Sequence, residues 1–144
     1  YFNNCYFECN GTAIKSLMGL TLHINQCYFE GHTNYIIDIF GSLDAVSLLV
    51  LENSFFHIYN KSSITENKAV IKQEIDANHS ISYVIQNNYM DNYANMIDYF
   101  IYAKSGNLII KAENNKLRSV SYNFPMCSKV PAETSYFNND FNNQ

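Results

Sequence analysis

Arginine is almost missing from this sequence: Arg118 is the only one, against 8 Lys and 13 acidic residues, and the formal charge is −4. A nucleic-acid binder neutralises phosphates with a clustered basic face, so no nucleic-acid partner is expected. Charge of either sign is scarce, at 15% of residues, where about a quarter is usual. Long apolar runs are lacking too. None reaches the roughly 18 residues that a membrane-spanning helix needs, and no membrane insertion is expected. Helix signals are few, with no capped amphipathic stretch of about twelve residues. What fills the space is asparagine, 21 of 144 residues, with 12 Tyr and 10 Phe. Hydrophobic residues still make up 47%, enough for one domain, 1–144, with a sizeable core.

Repetition carries most of the information. One phrase recurs six times, as FNNCYF from Phe2, INQCYF from Ile24, LENSFF from Leu51, IQNNYM from Ile85, AENNKL from Ala112 and FNNDF from Phe137. Aligned, the copies form a column of Asn4, Gln26, Asn53, Asn87, Asn114 and Asn138, spaced by 22, 27, 34, 27 and 24 residues. The next column is small and polar: Cys5, Cys27, Ser54, Asn88, Asn115 and Asn139. A large apolar column follows, Phe7, Phe29, Phe56, Met90, Leu117 and Phe141. A weaker phrase falls between the copies, as Ala13-Ile14-Lys15, Ile36-Ile37-Asp38, Val70-Ile71-Lys72 and Met96-Ile97-Asp98. Alternating positions rich in Ile, Val, Phe and Tyr read as strands. Each repeat therefore holds at least two short strands, and strands at this period suggest a solenoid whose coils stack.

Stacking explains the columns. It places equivalent residues about 4.8 Å apart. Asn at a tight turn tolerates left-handed backbone, and its amide can bond to the Asn one rung away, so an Asn ladder is expected in the first column. The Phe column becomes an internal stack of rings.

The phrase apolar-x-apolar-x-Asn-(Asn/Cys/Ser)-x-Phe, followed by an Ile-rich strand, resembles the coil of right-handed parallel β-helix proteins of the pectate-lyase-like superfold, from Phe2 to Phe141. The resemblance implies an all-β solenoid of about five coils. It does not fix an activity, because that superfold includes pectate lyases, polygalacturonases, phage tailspikes and surface adhesins. A leucine-rich repeat also fits Leu22 to Phe29 and Leu49 to Phe56, but the doubled Asn positions, the strand-like second phrase and the 34-residue coil speak against it. The chain opens and closes within copies of the phrase and carries no capping helix, so it reads as a fragment of a longer β-helix. Its longest coil places a protruding loop at 57–68, and the segment 119–135, with Pro125 and Pro131, reads as an irregular connection.

Strand alternation puts Tyr6, Tyr28, Phe55 and Tyr89 in a row on the outside. An exposed apolar row implies a covering: a loop of the same chain, other protein subunits, or a surface glycan. Beyond the Phe column lie Glu8, Glu30, His57, Asp91 and Arg118. Glu8 and Glu30, one rung apart, approach the carboxylate separation of a retaining glycosidase, about 5–5.5 Å. They are candidate catalytic residues if the protein is a carbohydrate-active enzyme. The enzymatic signatures of the superfold are otherwise missing: no dense Asp cluster for calcium, no Gly-His-Gly and no Arg-x-Lys. Lys15, Asp38, Lys72 and Asp98 alternate in sign along another exposed strand, a register-setting pattern.

Four cysteines, Cys5, Cys9, Cys27 and Cys127, allow a disulfide, a metal site or free thiols. Cys5 and Cys27 share a column and could bridge, but Ser and Asn fill the same column elsewhere. Cys5, Cys9, His23 and Cys27 have superficial zinc spacing, yet on a solenoid they face different ways; no metal and no cofactor is expected. Sequons at Asn10, Asn60 and Asn78 are about as many as chance gives in so Asn-rich a chain. The sequence is thus expected to be a non-catalytic structural or attachment element of an assembly. By resemblance alone its setting would be extracellular, cell-surface or virion.

Overall fold

The computed structural model describes residues 1–8, 11–17, 21–41, 47–59, 68–92, 97–119 and 126–140, and these are all strand, turn or irregular backbone, without a helix. In chain order the strands are β1 (Phe2–Asn3), β2 (Tyr6–Glu8), β3 (Ile14–Leu17), β4 (Thr21–Asn25), β5 (Tyr28–Glu30), β6 (Ile37–Gly41), β7 (Ser47–Glu52) and β8 (Phe55–Ile58). They continue as β9 (Ala69–Ile75), β10 (Ser80–Gln86), β11 (Tyr89–Asn92), β12 (Tyr99–Ser105), β13 (Asn107–Glu113), β14 (Lys116–Ser119) and β15 (Glu133–Phe137). Three parallel sheets result. The first has the order β1-β4-β7-β10-β13-β15, the second β14-β11-β8-β5-β2 and the third β12-β9-β6-β3. The first four repeats each supply three strands, one to each sheet, the fifth supplies β13 and β14 and the sixth β15, and each strand pairs with its counterpart in the neighbouring repeat.

The registers reproduce the sequence columns. In the first sheet Leu22, Leu49, Tyr83 and Ile110 are successive partners, as are Ile24, Leu51, Ile85 and Ala112. In the second, Phe7, Phe29 and Phe56 stack with ring planes 3° apart and centroids separated by 4.8 and 4.9 Å. Met90 and Leu117 continue that column. Phe29 and Phe56 are fully buried, and burying a side chain of this size contributes about 1.5–3 kcal/mol. The three inward faces meet in one core.

Between the first and second sheets the chain turns at Asn4, Gln26, Asn53, Asn87, Asn114 and Asn138, with φ between 49° and 55°, and among the described residues no other non-glycine has positive φ. Left-handed backbone costs most residues about 1–2 kcal/mol and costs Asn less, which is why this position repeats so faithfully.

The amide bonds run differently from expectation. Asn138 Nδ2 donates to Asn114 Oδ1 at 2.8 Å within the turn column, but Asn53 Nδ2 donates to Asn25 Oδ1, outside it, at 2.8 Å. The buried bonds lie in the neighbouring column. There Asn88 Nδ2 donates to Asn115 Oδ1 at 3.0 Å, and Asn115 Nδ2 to Asn139 Oδ1 at 2.8 Å. The turn residues project into water, which competes for their amides. The next residues point inward, where polar atoms need protein partners.

A second departure concerns the weaker phrase. Ile14, Ile37, Ile71 and Ile101 are the successive partners in the third sheet, so its fourth copy is Phe100-Ile101-Tyr102 and not Met96-Ile97-Asp98. The column Lys15, Asp38, Lys72 therefore continues with Tyr102. Asp98 instead accepts a hydrogen bond from the Lys68 backbone N–H at 3.1 Å. Lys72 lies 3.7 Å from Asp38 and 2.7 Å from Glu74.

Of the expected loop 57–68, His57 and Ile58 belong to β8, and 60–67 lie outside the described residues. Of 119–135, Ser119 ends β14, residues 120–125 lie outside the described set, Cys127 bridges to Ile101, and Glu133 opens β15.

Candidate functional site

The second sheet sets the candidate face. Its strands are three or four residues long, so each presents one or two side chains outward, and exact parallel register lines them up. Tyr6, Tyr28, Phe55 and Tyr89 are successive partners, with Lys116 next in line. Their centroids are 5.2, 5.1 and 4.9 Å apart, with planes inclined by 15°, 7° and 7°. Tyr6 is 58% exposed and the other three are half-buried.

This geometry decides what the row offers. The rings lie face to face along the stacking direction, so Tyr28 and Phe55 have both faces covered by neighbours. Solvent meets ring edges and the hydroxyls of the tyrosines. Ring edges carry the positive side of the aromatic quadrupole. A sugar that stacks on an aromatic needs a free face, and only the two end rings, Tyr6 and Tyr89, have a face not covered by another member of the row.

Beside the rings runs the second outward column, in which Glu8, Glu30, His57 and Asp91 are successive partners, and Arg118 is next by backbone register. The Tyr6 hydroxyl donates to Glu30 Oε2 at 2.5 Å, tying the two columns together across one rung. That bond, then desolvation and the charges of Glu30 and Glu8, holds the Tyr6 hydroxyl well above its ordinary pKa. Burial, and then Glu30, raises Tyr28 in the same direction. His57 packs edge-on to Tyr59, with centroids 5.0 Å apart.

The structure thus brings Tyr6, Tyr28, Phe55 and Tyr89 together as one row and sets Glu8 directly opposite Glu30. One oxygen of Glu30 is engaged by Tyr6, a bond that column-by-column reading of the sequence misses because it runs diagonally. The signal was present as Tyr two positions before Glu in both Tyr6–Glu8 and Tyr28–Glu30. Among the described residues no group of three or more His, Cys, Asp or Glu is arranged to hold a metal ion, and Cys5, Cys27 and Cys127 are free thiols.

A further outward feature lies on the first sheet. Val84, Ile109, Lys111, Glu133 and Ser135 border a shallow groove of about 240 Å³. Comparison of the chain with family models, with curated proteins and with solved structures finds no match.

Proposed function

We propose that this chain is a right-handed parallel β-helix of about five coils serving as a non-catalytic attachment element of a surface or assembly, and that it contacts a protein partner through the aromatic row. Right-handedness follows from the rule that parallel strands of one sheet are joined by right-handed crossovers. The inward amides of Asn88, Asn115 and Asn139 act as its internal ladder. The observation that carries the functional reading is the row itself: four stacked rings with edges outward, bordered by a column that starts with Glu8 and Glu30 and continues with His57, Asp91 and Arg118. Covered ring faces disfavour a glycan along the middle of the row. The carboxylate border favours a protein surface that carries Lys or Arg beside apolar groups.

The test is paired. Labelled protein is applied to an array of random twelve-residue peptides and to an array of diverse glycans, in parallel with Phe55→Ser and Glu30→Gln. The expected result is binding to basic, apolar-containing peptides, weakened about tenfold by Phe55→Ser and by added salt. Binding to glycans alone, or peptide binding indifferent to Phe55→Ser, refutes it. The register of Glu8 with Glu30 favours one other reading, a carbohydrate-active enzyme. Release of new reducing ends from arrayed glycans, lost in Glu30→Gln, would establish that reading instead.

A further inference from the structure

The column after the turn residues passes hydrogen bonds from rung to rung. The backbone N–H of Asn115 donates to Asn139 Oδ1 at 3.1 Å, that of Asn88 to Asn115 Oδ1 at 3.0 Å, and that of Ser54 to Asn88 Oδ1 at 3.0 Å. The Cys27 N–H donates to Ser54 Oγ at 3.1 Å. At the next rung the series changes chemistry, because the last two members, Cys27 and Cys5, are both thiols.

We propose that Cys5 and Cys27 are an oxidisable pair that closes a disulfide across these two rungs. Their neighbours are in register on both sides, with Asn3 opposite Asn25 and Tyr6 opposite Tyr28. The two Cα atoms therefore stand about one strand spacing apart, ~4.8 Å, inside the window of roughly 4.4–6.8 Å for a disulfide. Each cysteine follows a left-handed residue, Asn4 (φ 55°) or Gln26 (φ 53°), so both side chains leave the backbone in the same direction, and closing the bridge draws the two Cβ atoms together by a few tenths of an ångström or more, to roughly 3.5–4.5 Å. Each thiol donates to the carbonyl two residues back, Cys5 to Asn3 at 3.5 Å and Cys27 to Asn25 at 3.3 Å. Burial is the main cause that holds the Cys27 thiol above its ordinary pKa, and the Cys5 backbone and thiol are both near enough to act on it. Ser54, Asn88 and Asn115 occupy the same column without any such capacity, so the linkage can form at this pair of rungs and not further along. Cys127 is bridged to Ile101 in the third sheet, away from this corner.

Burial assigns the order of events. Cys5 is half-exposed, whereas Cys27 is 2% exposed. With a low-molecular-weight disulfide as oxidant, the Cys5 thiolate attacks one of its sulfurs and releases one thiolate. Cys27 loses its proton, attacks the Cys5 sulfur of the mixed disulfide and releases the second. Two protein thiols and one small disulfide become one protein disulfide and two small thiols, so the oxidant takes up the two electrons and both protons.

The experiment treats the folded chain with oxidised glutathione at pH 8, alkylates the remaining thiols and maps the peptides after chymotryptic cleavage, which separates Cys5 from Cys9 at Phe7. The expected outcome is one bridge joining Cys5 to Cys27, with Cys9 and Cys127 alkylated. The oxidised protein should melt roughly 5–10 °C above the reduced one, since the bridge removes loop-closure entropy from the unfolded chain. Cys27→Ser should halt at a mixed disulfide on Cys5. Four alkylated cysteines, a bridge to Cys9 or Cys127, or a glutathione adduct persisting on Cys5 of the wild type would each overturn the proposal.

Discussion

Replacing Asn88 by alanine should be among the costliest single changes in this chain, although a conservative eye would rank its neighbour Asn87 first for its unusual backbone. Asn88 is 2% exposed. Its Oδ1 accepts from the Ser54 N–H at 3.0 Å, and its Nδ2 donates to the Leu51 carbonyl at 2.9 Å and to Asn115 Oδ1 at 3.0 Å. Alanine leaves the buried Ser54 N–H without that acceptor, worth about 1–3 kcal/mol, and removes two further bonds worth about 0.5–1.5 kcal/mol each. The expected loss is about 2–6 kcal/mol, a large part of the ~5–15 kcal/mol that holds a domain. Asn87 is exposed, with φ 55°, so Asn87→Ala should lose only about 1 kcal/mol and Asn87→Gly next to nothing. Serine supplies an internal control. Ser54 occupies the same column, accepts from the Cys27 N–H and donates to the Glu52 carbonyl at 2.8 Å. Asn88→Ser can adopt that arrangement and should recover about half the loss. Urea unfolding followed by far-UV circular dichroism gives the order directly from the midpoints at constant slope. Asn88→Ala costing less than Asn87→Ala, or Ser and Ala being equally mild, would show that the inward amides are not what binds rung to rung.

Two further perturbations probe other parts of the coil. Gly106 turns the chain between β12 and β13 at φ 82°, and a Cβ there would stand 2.2 Å from Ile75 Cγ1. Gly106→Ala should therefore lose about 2–4 kcal/mol from backbone strain and overpacking together. A double-mutant cycle with Ile75→Ala should show the two losses falling short of additivity; simple addition would exclude the clash. Hydrogen bonds from Lys104 and then Lys72 hold the Glu74 carboxyl below its ordinary 4.5. A depressed carboxyl stabilises the fold above its unfolded pKa and loses that contribution as pH falls through the folded value. Glu74→Gln should accordingly be less stable than wild type at pH 7, by a few tenths of a kcal/mol given solvent screening, with the gap closing below about pH 4. Equal stabilities at pH 7, or a gap that persists at pH 3, would refute the assignment.

The turn column was legible because two independent signals coincide there: Asn tolerates left-handed backbone, and apolar residues alternate on both sides of it. The inward Phe column was legible from the same alternation. The site of the buried amide bonds was not, since Asn87-Asn88, Asn114-Asn115 and Asn138-Asn139 are doublets whose members look alike as letters. Only the turn geometry sends the second inward. The fourth copy of the Ile phrase was misplaced for a related reason. Ile97 follows Asn87 by 10 residues, against 10 and 11 in the first two coils, whereas its true counterpart Ile101 follows by 14. Sequence similarity over three residues cannot distinguish a strand from a loop that imitates it; the fully buried Phe100 and Ile101 can.

The outward face of the second sheet follows a different logic. Parallel register turns every column into a line of like side chains at fixed spacing. On the inside this is stabilising, because rings stack and amides pair. On the outside it sets Glu8 against Glu30, and like charges directly opposite one another cost stability. The Tyr6 hydroxyl takes up one Glu30 oxygen, which relieves the contact from within the ring row and makes the two columns one surface. Thr or Lys at Glu8 would avoid the repulsion that remains between the two carboxylates. A cationic partner laid along the ring edges would neutralise them, and its binding should weaken when salt is raised, whereas the stacked rings themselves would not respond to salt. Circular dichroism of the tyrosines and partner binding, followed through one salt titration, separates the two contributions: a face built for attachment loses its partner while its rings stay stacked.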